Sequence, residues 1–322
     1  MSAQSRVSFE HAVAWIDGAT RCLEAEEVSL DAAAGFVLAS DQRAAGPIPS
    51  ADCAAIDGFA VKAEATLGAS AYNPVEVTSV PLEAGEPMPP EADAVVPFDQ
   101  ADPEGPGQVV LVEPIVAGAN VDRYGAVATG GMLVAAAGTR LTPGQLGLLT
   151  VAGCAHVSVT RRPRVRLAIT RKARSGPPID SNGPMLRALI ERDGGAVLDA
   201  TLADAFAGDA DVIIIAGGTG CGPSDRSAAA LTSAGLLEIR GVALIPGETA
   251  GFGHTMGGVP VLLLPGSPAG CLWNYELFAG RAIRRLGGRN PELPYRVVGI
   301  TITRKIVSSI GMTEICPIRR LA

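Results

Sequence analysis

The sequence is poor in charged and aromatic residues, and these shortages exclude several classes of protein. Charged residues make up 18% of the 322 positions and aromatic residues 4%. The formal net charge is −7, and no basic stretch is interleaved with aromatic residues, so no nucleic-acid partner is expected. No apolar run approaches the ~20 residues of a membrane span. The first residues lack the basic-then-apolar pattern of a signal peptide. We therefore expect a cytoplasmic protein with no membrane segment.

Residues that bind zinc or form a catalytic triad are sparse and scattered. The six cysteines include no C-x-x-C pair, and the three histidines are equally dispersed. Because the spacing of zinc ligands is absent, the sequence predicts no metal site. No Ser/His/Asp or Cys/His triad can be assembled from the pattern either, so a catalytic nucleophile of that kind is not predicted.

Glycine and proline are abundant, with 39 and 24 residues, which predicts many turns and short connections. The hydrophobic share of 48% is enough for a large core, and the length favours about two domains of ~150 residues. Near the start, Phe9, Val13 and Ile16 recur at spacings of four and three, which predicts a helix. Ser29 could cap a second helix that runs through Leu38.

Residues 47–125 have a different character from the flanking segments. Three short β-like runs, Val75–Val80, Val95–Phe98 and Val109–Val112, lie between Pro, Gly and Asp turns. A helical pattern returns at LTPGQLGLLTVAG, where Pro143 suits the first turn of a helix. We therefore predict a helical linker domain made of residues 7–46 and 126–162, with residues 47–125 inserted as a β-rich lobe.

Apolar strands alternate with helices from residue 163 to 289. The predicted strands are 165–169, 196–198, 211–216 and 259–264, and the predicted helices are 184–193, 224–235 and 268–286. Near-continuous apolar strands that alternate with helices predict an α/β fold with a doubly wound, mostly parallel sheet. Residues 290–322 contain two alternating runs, RVVGITIT and EICPIRRL, and predict a short C-terminal β segment.

One glycine-rich loop at the end of a predicted strand could bind an anion. In DVIIIAGGTGCGPSDR the strand ends in Gly217, Gly218, Thr219 and Gly220, and Asp225 opens a helix. Glycines let backbone N–H groups approach an anion, and a helix start favours negative charge. The loop fits neither the Walker A nor the G-x-G-x-x-G motif. A purely structural glycine turn explains it equally well.

Two further loops follow predicted strands of the same region. Pro265, Gly266 and Ser267 form one of them, although Ser267 before a proline is also an ordinary helix start. The other is RVRLAITRKARSGPPIDSN, in which Arg171 and Lys172 follow a buried strand and favour an anion or a carboxylate opposite them. A solvated loop is the alternative for these cations, and Asp180 or Ser181 could simply cap a helix.

Several motifs, taken in order, resemble the molybdopterin molybdenumtransferase family of MoeA-like proteins, which includes the C-terminal domain of gephyrin. IDGFAV is similar to M-D-G-Y-A, and AGEPMPPEADAVVPFD is similar to T-G-A-P-x-P-x-G-A-D-A-V-V. DSN, GGTGCGPSD and PGSP resemble D-S-N, G-G-V-S-x-G-x-x-D and P-G-N-P. The resemblance covers about residues 7–290.

The resemblance implies an elongated homodimer in which a MogA-like molybdopterin-binding domain, residues 163–289, faces the partner's β-rich lobe. It implies insertion of molybdate into adenylylated molybdopterin, release of AMP and a requirement for Mg²⁺. Asp57 of IDGFAV and Asp225 are the predicted catalytic residues, although Asp57-Gly58 is also ordinary turn chemistry. The predicted ligand-binding residues are Thr170, Arg171, Lys172, Asp180, Ser181, Asn182, Gly217, Gly218, Thr219, Gly220, Asp225, Pro265, Gly266 and Ser267.

The chain departs from the family at acidic motif positions. T-G-D-E-L aligns with Thr170–Arg174, G-E-D aligns with Gly125–Val127, and the basic K-P-G-K-P aligns with Ile245–Thr249. Arg171 and Lys172 cannot ligate Mg²⁺, so a role for this ion is doubtful. We predict that the protein binds molybdopterin or adenylylated molybdopterin with metal insertion impaired. The alternatives are a fully active molybdenumtransferase and a non-catalytic dimeric scaffold, with molybdoenzymes or other cofactor-pathway proteins as potential partners.

Overall fold

The structure is a computed structural model that describes residues 6–170, 180–303 and 305–318. Its helices are α1 (Phe9–Ala19), α2 (Pro143–Val151), α3 (Asn182–Arg192), α4 (Ser227–Ala234), α5 (Pro268–Asn274) and α6 (Gly280–Leu286). A π-helical turn, Tyr275–Ala279, joins α5 to α6, so one helical segment covers the predicted helix 268–286. No helix in the described ranges is long and apolar enough to cross a membrane.

The strands fall into an N-terminal group and a C-terminal group. The first group is β1 (Ala25–Ser29), β2 (Val37–Leu38), β3 (Gln42–Arg43), β4 (Cys53–Ala54), β5 (Gly58–Val61), β6 (Val75–Thr78), β7 (Val80–Leu82), β8 (Ala94–Pro97), β9 (Asp102–Gly105), β10 (Gln108–Leu111), β11 (Val121–Asp122), β12 (Leu133–Ala135) and β13 (His156–Thr160). The second group is β14 (Arg164–Ile169), β15 (Ala196–Ala200), β16 (Val212–Ala216), β17 (Gly235–Arg240), β18 (Leu244–Ile245), β19 (Gly251–Thr255), β20 (Pro260–Leu264) and β21 (Thr313–Glu314).

Six strands form the main sheet, in the order β15-β14-β16-β20-β19-β17. The first four run parallel, and β19 and β17 are antiparallel to their neighbours. Residues of α3, α5 and α6 cover one face, and α4 with the connection 201–210 covers the other. This confirms the predicted doubly wound, mostly parallel sheet. The antiparallel pair β17–β19 was not predicted, because three glycines interrupt its β-like pattern.

The helix predicted around Phe9 is confirmed as α1. Its N-terminus is capped by Ser8, whose Oγ accepts a hydrogen bond from His11 N at 3.2 Å. The buried side chains Ala12 and Ile16 join the core of the main sheet, and α1 packs against α6. The first helix therefore belongs to the hydrophobic core of the α/β region and does not pack with α2.

The helix predicted from Ser29 to Leu38 is wrong. Ser29 ends β1, which pairs with β13, and Val37 and Leu38 form β2 on the other side of β13. Gly35 lies between them at φ 77°, a left-handed conformation that interrupts a helix. The pairing of both strands with β13 overrides the local helical pattern. The linker domain predicted to be helical thus contains a three-stranded antiparallel sheet, against which α2 packs through Leu149.

The β-rich lobe contains two three-stranded sheets, β6-β10-β9 and β7-β5-β8. The three β-like runs predicted here all coincide with strands of these sheets, which confirms them. The lobe is attached to the linker domain through Ile48, whose N–H donates to Ala128 O at 2.8 Å and whose carbonyl accepts from Val127 N at 2.9 Å. Over the described residues, no hydrogen bond joins the lobe directly to residues 163–289.

Only a short part of the predicted C-terminal β segment is a strand. Thr313 and Glu314 form β21, which pairs in parallel with β18. The prediction of a strand in the run RVVGITIT is wrong, since residues 296–303 form none. Alternation alone does not make a strand, because its backbone N–H and C=O groups need a neighbouring strand to pair with. Val297 and Ile300 of this run are exposed.

Arg161 joins the linker domain to the main sheet through a two-pronged ion pair. Its Nη1 and Nη2 donate to the carboxylate of Asp211 at 2.6 and 2.7 Å, and Arg164 N donates to the same carboxylate at 2.7 Å. The Asp211 side chain is only 8% exposed. Burial raises the pKa of Asp211, but the hydrogen bonds from Arg161 and from the Arg164 backbone outweigh it and hold the pKa below its usual 3.8.

Asp211→Asn is expected to lower the free energy of unfolding at neutral pH by about 3 kcal/mol, because it leaves the partly buried Arg161 with an incomplete partner. The folded-state pKa of Asp211 is lowered, so its contribution is fully present above pH 3.8 and is lost as the pH falls through the lower folded value. Urea unfolding at neutral pH and again well below pH 3.8 measures both the loss of stability and its dependence on pH.

Asp209→Asn is the matched control for this change. The Asp209 carboxylate is 87% exposed and lies 3.8 Å from Arg164, so its loss should change the unfolding free energy by less than ~0.5 kcal/mol. Equal effects of the two substitutions at neutral pH would contradict the role of Arg161–Asp211. A difference between wild type and Asp211→Asn that does not narrow in acid would contradict the lowered pKa.

Candidate functional site

The carboxyl ends of β14, β16 and β20 meet at one edge of the main sheet. From β14 the chain passes to β15 on one side, and from β16 it passes through α4 to the strands on the other side. When the chain leaves two adjacent parallel strands in opposite directions, a crevice forms between their carboxyl ends. All three loops predicted to bind an anion begin at this edge, and we refer to the space between β14 and β16 as the crevice.

Thr170 and Gly217 lie against each other in the crevice. Thr170 N and Oγ1 both donate to Ala216 O, at 2.8 and 3.2 Å. A Cβ on Gly217 would lie 2.6 Å from Thr170 O and 2.7 Å from Thr170 Oγ1. The φ of Gly217 is 93°, so both space and backbone conformation require glycine here. The contact joins the predicted loop that follows β14 to the glycine-rich loop that follows β16.

Ser227, which the sequence analysis missed, holds the glycine turn in place. Its N–H donates to Gly218 O at 3.1 Å, and its Oγ donates to Gly217 O at 2.7 Å. The Ser227 side chain is fully buried. The only signal in the sequence is a serine near a helix start, which is common for capping alone. Ser227 therefore has a positioning role that spacing does not reveal.

The N–H groups of Gly218, Thr219 and Gly220 face no acceptor within the part of the chain that the structure describes. None of them donates a hydrogen bond there, and all three residues are partly accessible. Successive free N–H groups at a turn with positive φ make a concave surface that favours anions. The predicted residues Gly217, Gly218, Thr219 and Gly220 thus form a turn suited to a phosphate.

Asp225 belongs to the framework of the same loop. Its Oδ2 accepts from Gly222 N at 2.8 Å, and its own N–H donates to Gly222 O at 3.0 Å. A Cβ on Gly220 would lie 2.6 Å from this oxygen, so the carboxylate packs closely on the turn. The structure places Asp225 at the predicted loop and gives it a bracing role, while its catalytic role stays a prediction.

Asp180 caps helix α3. Its Oδ1 accepts from Gly183 N at 2.8 Å, and Ser181 makes no capping hydrogen bond with its side chain. The capping interpretation of Asp180 is therefore confirmed, whereas Ser181 is exposed at the start of the helix. The role of Asp180 and Ser181 as ligand residues stays a prediction.

Asn182 joins the loop that follows β14 to the loop that follows β20. Its Nδ2 donates to Gly266 O at 3.1 Å, and a Cβ on Gly266 would lie 3.3 Å from Gly217 Cα. Asn182 is 6% exposed, and its buried Oδ1 has no hydrogen-bond partner among the described residues. An unpaired buried acceptor costs roughly 1–3 kcal/mol, so Asn182 is held at an energetic cost beside the crevice.

The third predicted loop contributes backbone more than side chains. Pro265 is buried, and Gly266 and Ser267 are exposed at the start of α5. Ser267 O accepts from Cys271 N at 2.8 Å, but the Ser267 hydroxyl makes no capping hydrogen bond. The structure therefore brings the three predicted loops to one place through Thr170–Gly217 and Asn182–Gly266.

A fourth loop, residues 246–249, reaches the same edge and was not predicted as part of the site. Thr249 Oγ1 lies 2.8 Å from Thr219 Oγ1. Asn274, fully buried in α5, donates through Nδ2 to Gly247 O at 3.2 Å and to Gly270 O at 2.8 Å. These bonds fix the loop on α5 and place Glu248 near the glycine turn. The separation of 30 residues from Thr219 hid this contact in the sequence.

One predicted residue that the structure describes, Asp57, is not brought to the crevice by contacts within this chain. Asp57 is exposed in the β-rich lobe, where its Oδ1 accepts from Ala84 N at 2.8 Å. Arg171 and Lys172 lie outside the described residues. The hydrogen bond of Asp57 therefore stays within its own lobe and does not bring this carboxylate to the crevice.

The described side chains around the crevice do not by themselves form a Mg²⁺ site. This ion prefers octahedral oxygen ligands, commonly one or two carboxylates together with phosphate oxygens. Across residues 6–170, 180–303 and 305–318, no three Asp, Glu, His or Cys side chains form a group that could hold a metal ion. The carboxylates of Asp180 and Asp225 each accept a backbone N–H. Hydroxyl, amide and backbone groups make up the rest.

A cavity of about 750 Å³ opens on the β15 side of β14. Its walls include Ile169, Ala200 and Thr201, together with the pair Arg187–Asp199, in which Nη2 donates to Oδ1 at 2.7 Å. Small-molecule pockets commonly measure ~300–1,000 Å³. Ile169, which lines this cavity, directly precedes Thr170 of the crevice.

Both halves of the chain match known protein families. Residues 7–153 match the MoeA N-terminal region (domain I and II), and residues 166–285 match the family described as "Probable molybdopterin binding domain". The molybdopterin molybdenumtransferase 2 of Mycobacterium tuberculosis is 32% identical over 320 residues, covering 85% of this chain and 78% of the relative. Molybdopterin molybdenumtransferase 1 of that organism is 29% identical over 339 residues, covering 88% and 79%.

Solved structures of similar shape come from the same group of proteins. A molybdopterin biosynthesis MoeA protein from Pyrococcus horikosii matches with a TM-score of 0.66 at 26% identity, covering 87% of this chain and 81% of that one. A second structure, from Pyrococcus horikoshii OT3, matches with a TM-score of 0.71 at 24% identity, covering 96% and 86%. The second similarity supports the fold alone.

Gly217→Ala is expected to lower the unfolding free energy by about 2 kcal/mol more than Gly258→Ala, because only the first combines backbone strain with a clash. Both glycines have positive φ, 93° and 80°, but a Cβ on Gly258 would meet no heavy atom within 4 Å. Urea unfolding of the two variants isolates the clash with Thr170. Equal losses in the two variants would show that the crevice is looser than the contacts indicate.

Proposed function

Because the chain belongs to the molybdopterin molybdenumtransferase family, a family of molybdenum cofactor biosynthesis, we propose that its crevice binds molybdopterin or adenylylated molybdopterin. The observation that carries the proposal is the turn Gly217–Gly220, whose N–H groups at residues 218–220 are free within the described chain. Such groups at a switch point between parallel strands suit the phosphate of a ligand.

The phosphate is proposed to lie on the glycine turn, held by backbone N–H groups. Thr219 Oγ1 and Thr249 Oγ1 share a hydrogen bond of 2.8 Å, which leaves one of the two hydroxyls able to donate to the phosphate. The start of α5 after Ser267 adds a favourable helix terminus. Charge-assisted hydrogen bonds from neutral donors bind a phosphate without any fixed metal ion. The proposed mode of binding therefore depends on the chain's own donors.

The pterin part of the ligand is proposed to extend into the cavity beside Ile169. Its volume of about 750 Å³ suits a fused-ring ligand, and Arg187 and Asp199 place polar groups on the wall. The unpaired Oδ1 of Asn182 would gain a partner if an N–H of the ligand entered the crevice. Both features favour a small molecule that carries an anionic end and a polar ring.

We propose that molybdate insertion is slower than in relatives that carry the full set of acidic motif residues. Where the family motifs have acids, this chain has Ala126 and Val127, and Glu248 stands where the basic motif has lysine. Proton transfer during insertion needs a positioned acid or base with a suitable pKa. Binding without efficient turnover fits delivery or storage of the cofactor. Full activity is the alternative, favoured if residues outside those motifs supply the acids.

A homodimer is proposed to complete the site. Asp57 is exposed, and no hydrogen bond between described residues links its lobe to residues 163–289, so a second copy is the simplest source of Asp57 at the crevice. The exposed apolar residues Leu148 and Val151 of α2 offer surface for such contacts. Light scattering at micromolar concentration distinguishes a homodimer from a monomer. A monomer would argue against the homodimer and most strongly against the dimeric scaffold alternative. It would also remove Asp57 from the site.

Thr219→Asp is expected to weaken the binding of molybdopterin by at least about tenfold, equal to ~1.4 kcal/mol. A carboxylate at this position would repel a bound phosphate across a few ångströms. Isothermal titration with molybdopterin, in the presence and absence of EDTA, measures the affinity and its dependence on a divalent ion. We expect wild-type affinity to be unchanged by EDTA.

Thr219→Asn and Thr78→Asp are the controls for this experiment. The first keeps the size without the charge, and the second places the same charge on the exposed surface of β6 in the lobe. Both should bind within about threefold of wild type, which is less than ~0.7 kcal/mol. If Thr219→Asp binds as tightly as Thr219→Asn, the phosphate does not lie on the glycine turn.

A further inference from the structure

Three arginines surround one turn at the edge of the main sheet opposite the crevice. The turn is Ala34–Phe36 of the linker domain, and the arginines are Arg140, Arg162 and Arg289. Arg162 lies two residues before the start of β14, and Arg289 contacts the last residue of α3, which returns the chain to the start of β15. The cluster is thus at the amino edge of the sheet, where the linker domain meets the α/β region.

Two of the guanidinium groups, those of Arg289 and Arg162, are placed by contacts with the backbone or with an aromatic ring, and Arg140 lies beside the same turn. Arg289 Nη2 donates to Gly35 O at 2.8 Å, and its Nη1 donates to Arg192 O at 2.9 Å. Arg162 Nη2 donates to Ala34 O at 3.4 Å, and its Cζ lies 4.5 Å from the centre of the Phe36 ring. Arg140 Nη2 lies 3.9 Å from the point where a Cβ on Gly35 would be.

Arg289 fits into a space that the fold leaves for it. A Cβ on Gly194 would lie within 2.5 Å of Arg289 Nη2, and Gly194 has φ 94°. A side chain at this position would therefore be strained and would displace the guanidinium. The position of Arg289 is fixed on both sides, by Gly194 and by the carbonyl of Gly35.

None of these three arginines forms an ion pair within the described parts of the chain, and the carboxylate that attracts Arg289, Asp193, is already paired with Arg284. Other arginines at the same junction are paired, since Arg161 binds Asp211, Arg284 binds Asp193 and Arg285 binds Asp17. Burial, and next the positive charge of Arg140, lower the pKa of Arg289 to about 10. Arg289 is partly buried and the other two arginines are exposed, so three positive charges gather at one point of a chain whose net charge is −7.

We propose that Arg140, Arg162 and Arg289 form a second anion site, which binds a tetrahedral oxyanion presented as free phosphate or as the terminal phosphate of a small molecule. Three guanidinium groups offer many N–H donors, of which the turn and Arg192 use three. Planar guanidinium groups bind phosphate through paired, charge-assisted hydrogen bonds. The anion would bridge the linker domain and the α/β region and stiffen their junction. This site is independent of the crevice and of the proposed function.

Arg140→Gln tests the site with little risk to the fold, because the Arg140 side chain is exposed and donates no hydrogen bond to the described residues. Inorganic phosphate at millimolar concentration, compared with chloride at equal ionic strength, should raise the melting temperature of wild type by about 2–4 °C. Arg140→Gln should lose most of that increase. Glycerol phosphate is measured in parallel as a phosphate ester. Whichever of the two, the ester or inorganic phosphate, raises the melting temperature at the lower concentration is the form that the site prefers.

Arg240→Gln is the matched control, since Arg240 is an exposed arginine on β17 with the same change in charge. It should keep the full increase, which separates binding at the cluster from a general effect of the salt on stability. Loss of the increase in Arg140→Gln alone supports the site. The proposal is overturned if wild type shows no increase with either probe, or if Arg140→Gln shows the same increase as wild type.

Discussion

Strand β14 pairs with β15 on one side and with β16 on the other, and the chain leaves β14 and β16 in opposite directions. This pairing is the constraint on which the rest of the site depends. It brings Thr170 onto the carbonyl of Ala216 and leaves no room for a side chain at Gly217. The glycine turn, the bond from Asn182 to Gly266 and the cavity beside Ile169 all lie around that point. A change in the register of β14 would dismantle them together.

The helices next to the binding loops are held in place by a network of buried ion pairs and hydrogen bonds. Arg192 binds Glu276 through two hydrogen bonds of 2.7 and 2.8 Å, and Asp193 accepts from Arg284 at 2.9 Å. Tyr275, in the π-helical turn, donates to Asp193 at 3.1 Å and closes this buried network. Fully paired buried charges fix orientation more than they add stability. The scaffold is thus ordered by charge pairs at its amino edge and carries its free donors at its carboxyl edge.

The sequence predicted the parts of the fold that depend on strong local patterns. The apolar runs of β14, β16 and β20 are nearly uninterrupted, so they could be recognised as buried parallel strands. The segment after Ser29 could not, because its conformation is decided by pairing with β13, more than 100 residues away. The run after Arg296 alternates like a strand but has no partner among the described strands.

The same distinction holds for the site. Glycine-rich loops at strand ends were visible in the sequence, and motif resemblance connected them to one family. The bonds from Ser227 to Gly217 and Gly218 and from Asn274 to Gly247 were not visible, because a serine or asparagine in a helix has many ordinary roles. The capping of α3 by Asp180 shows the opposite case, in which an ordinary role was visible in the sequence and is confirmed, while the predicted ligand role stays a prediction.

The central claim is that the crevice binds the pterin phosphate while molybdate insertion is slow. Release of AMP from adenylylated molybdopterin, with molybdate and Mg²⁺ added, measures insertion directly, and the Mycobacterium tuberculosis relative serves as the reference in the same assay. Binding of the ligand is measured on the same sample by titration. We expect stoichiometric binding with AMP release far slower than in the reference. Release at the rate of the reference would contradict impaired insertion, and failure to bind the ligand would contradict the site itself.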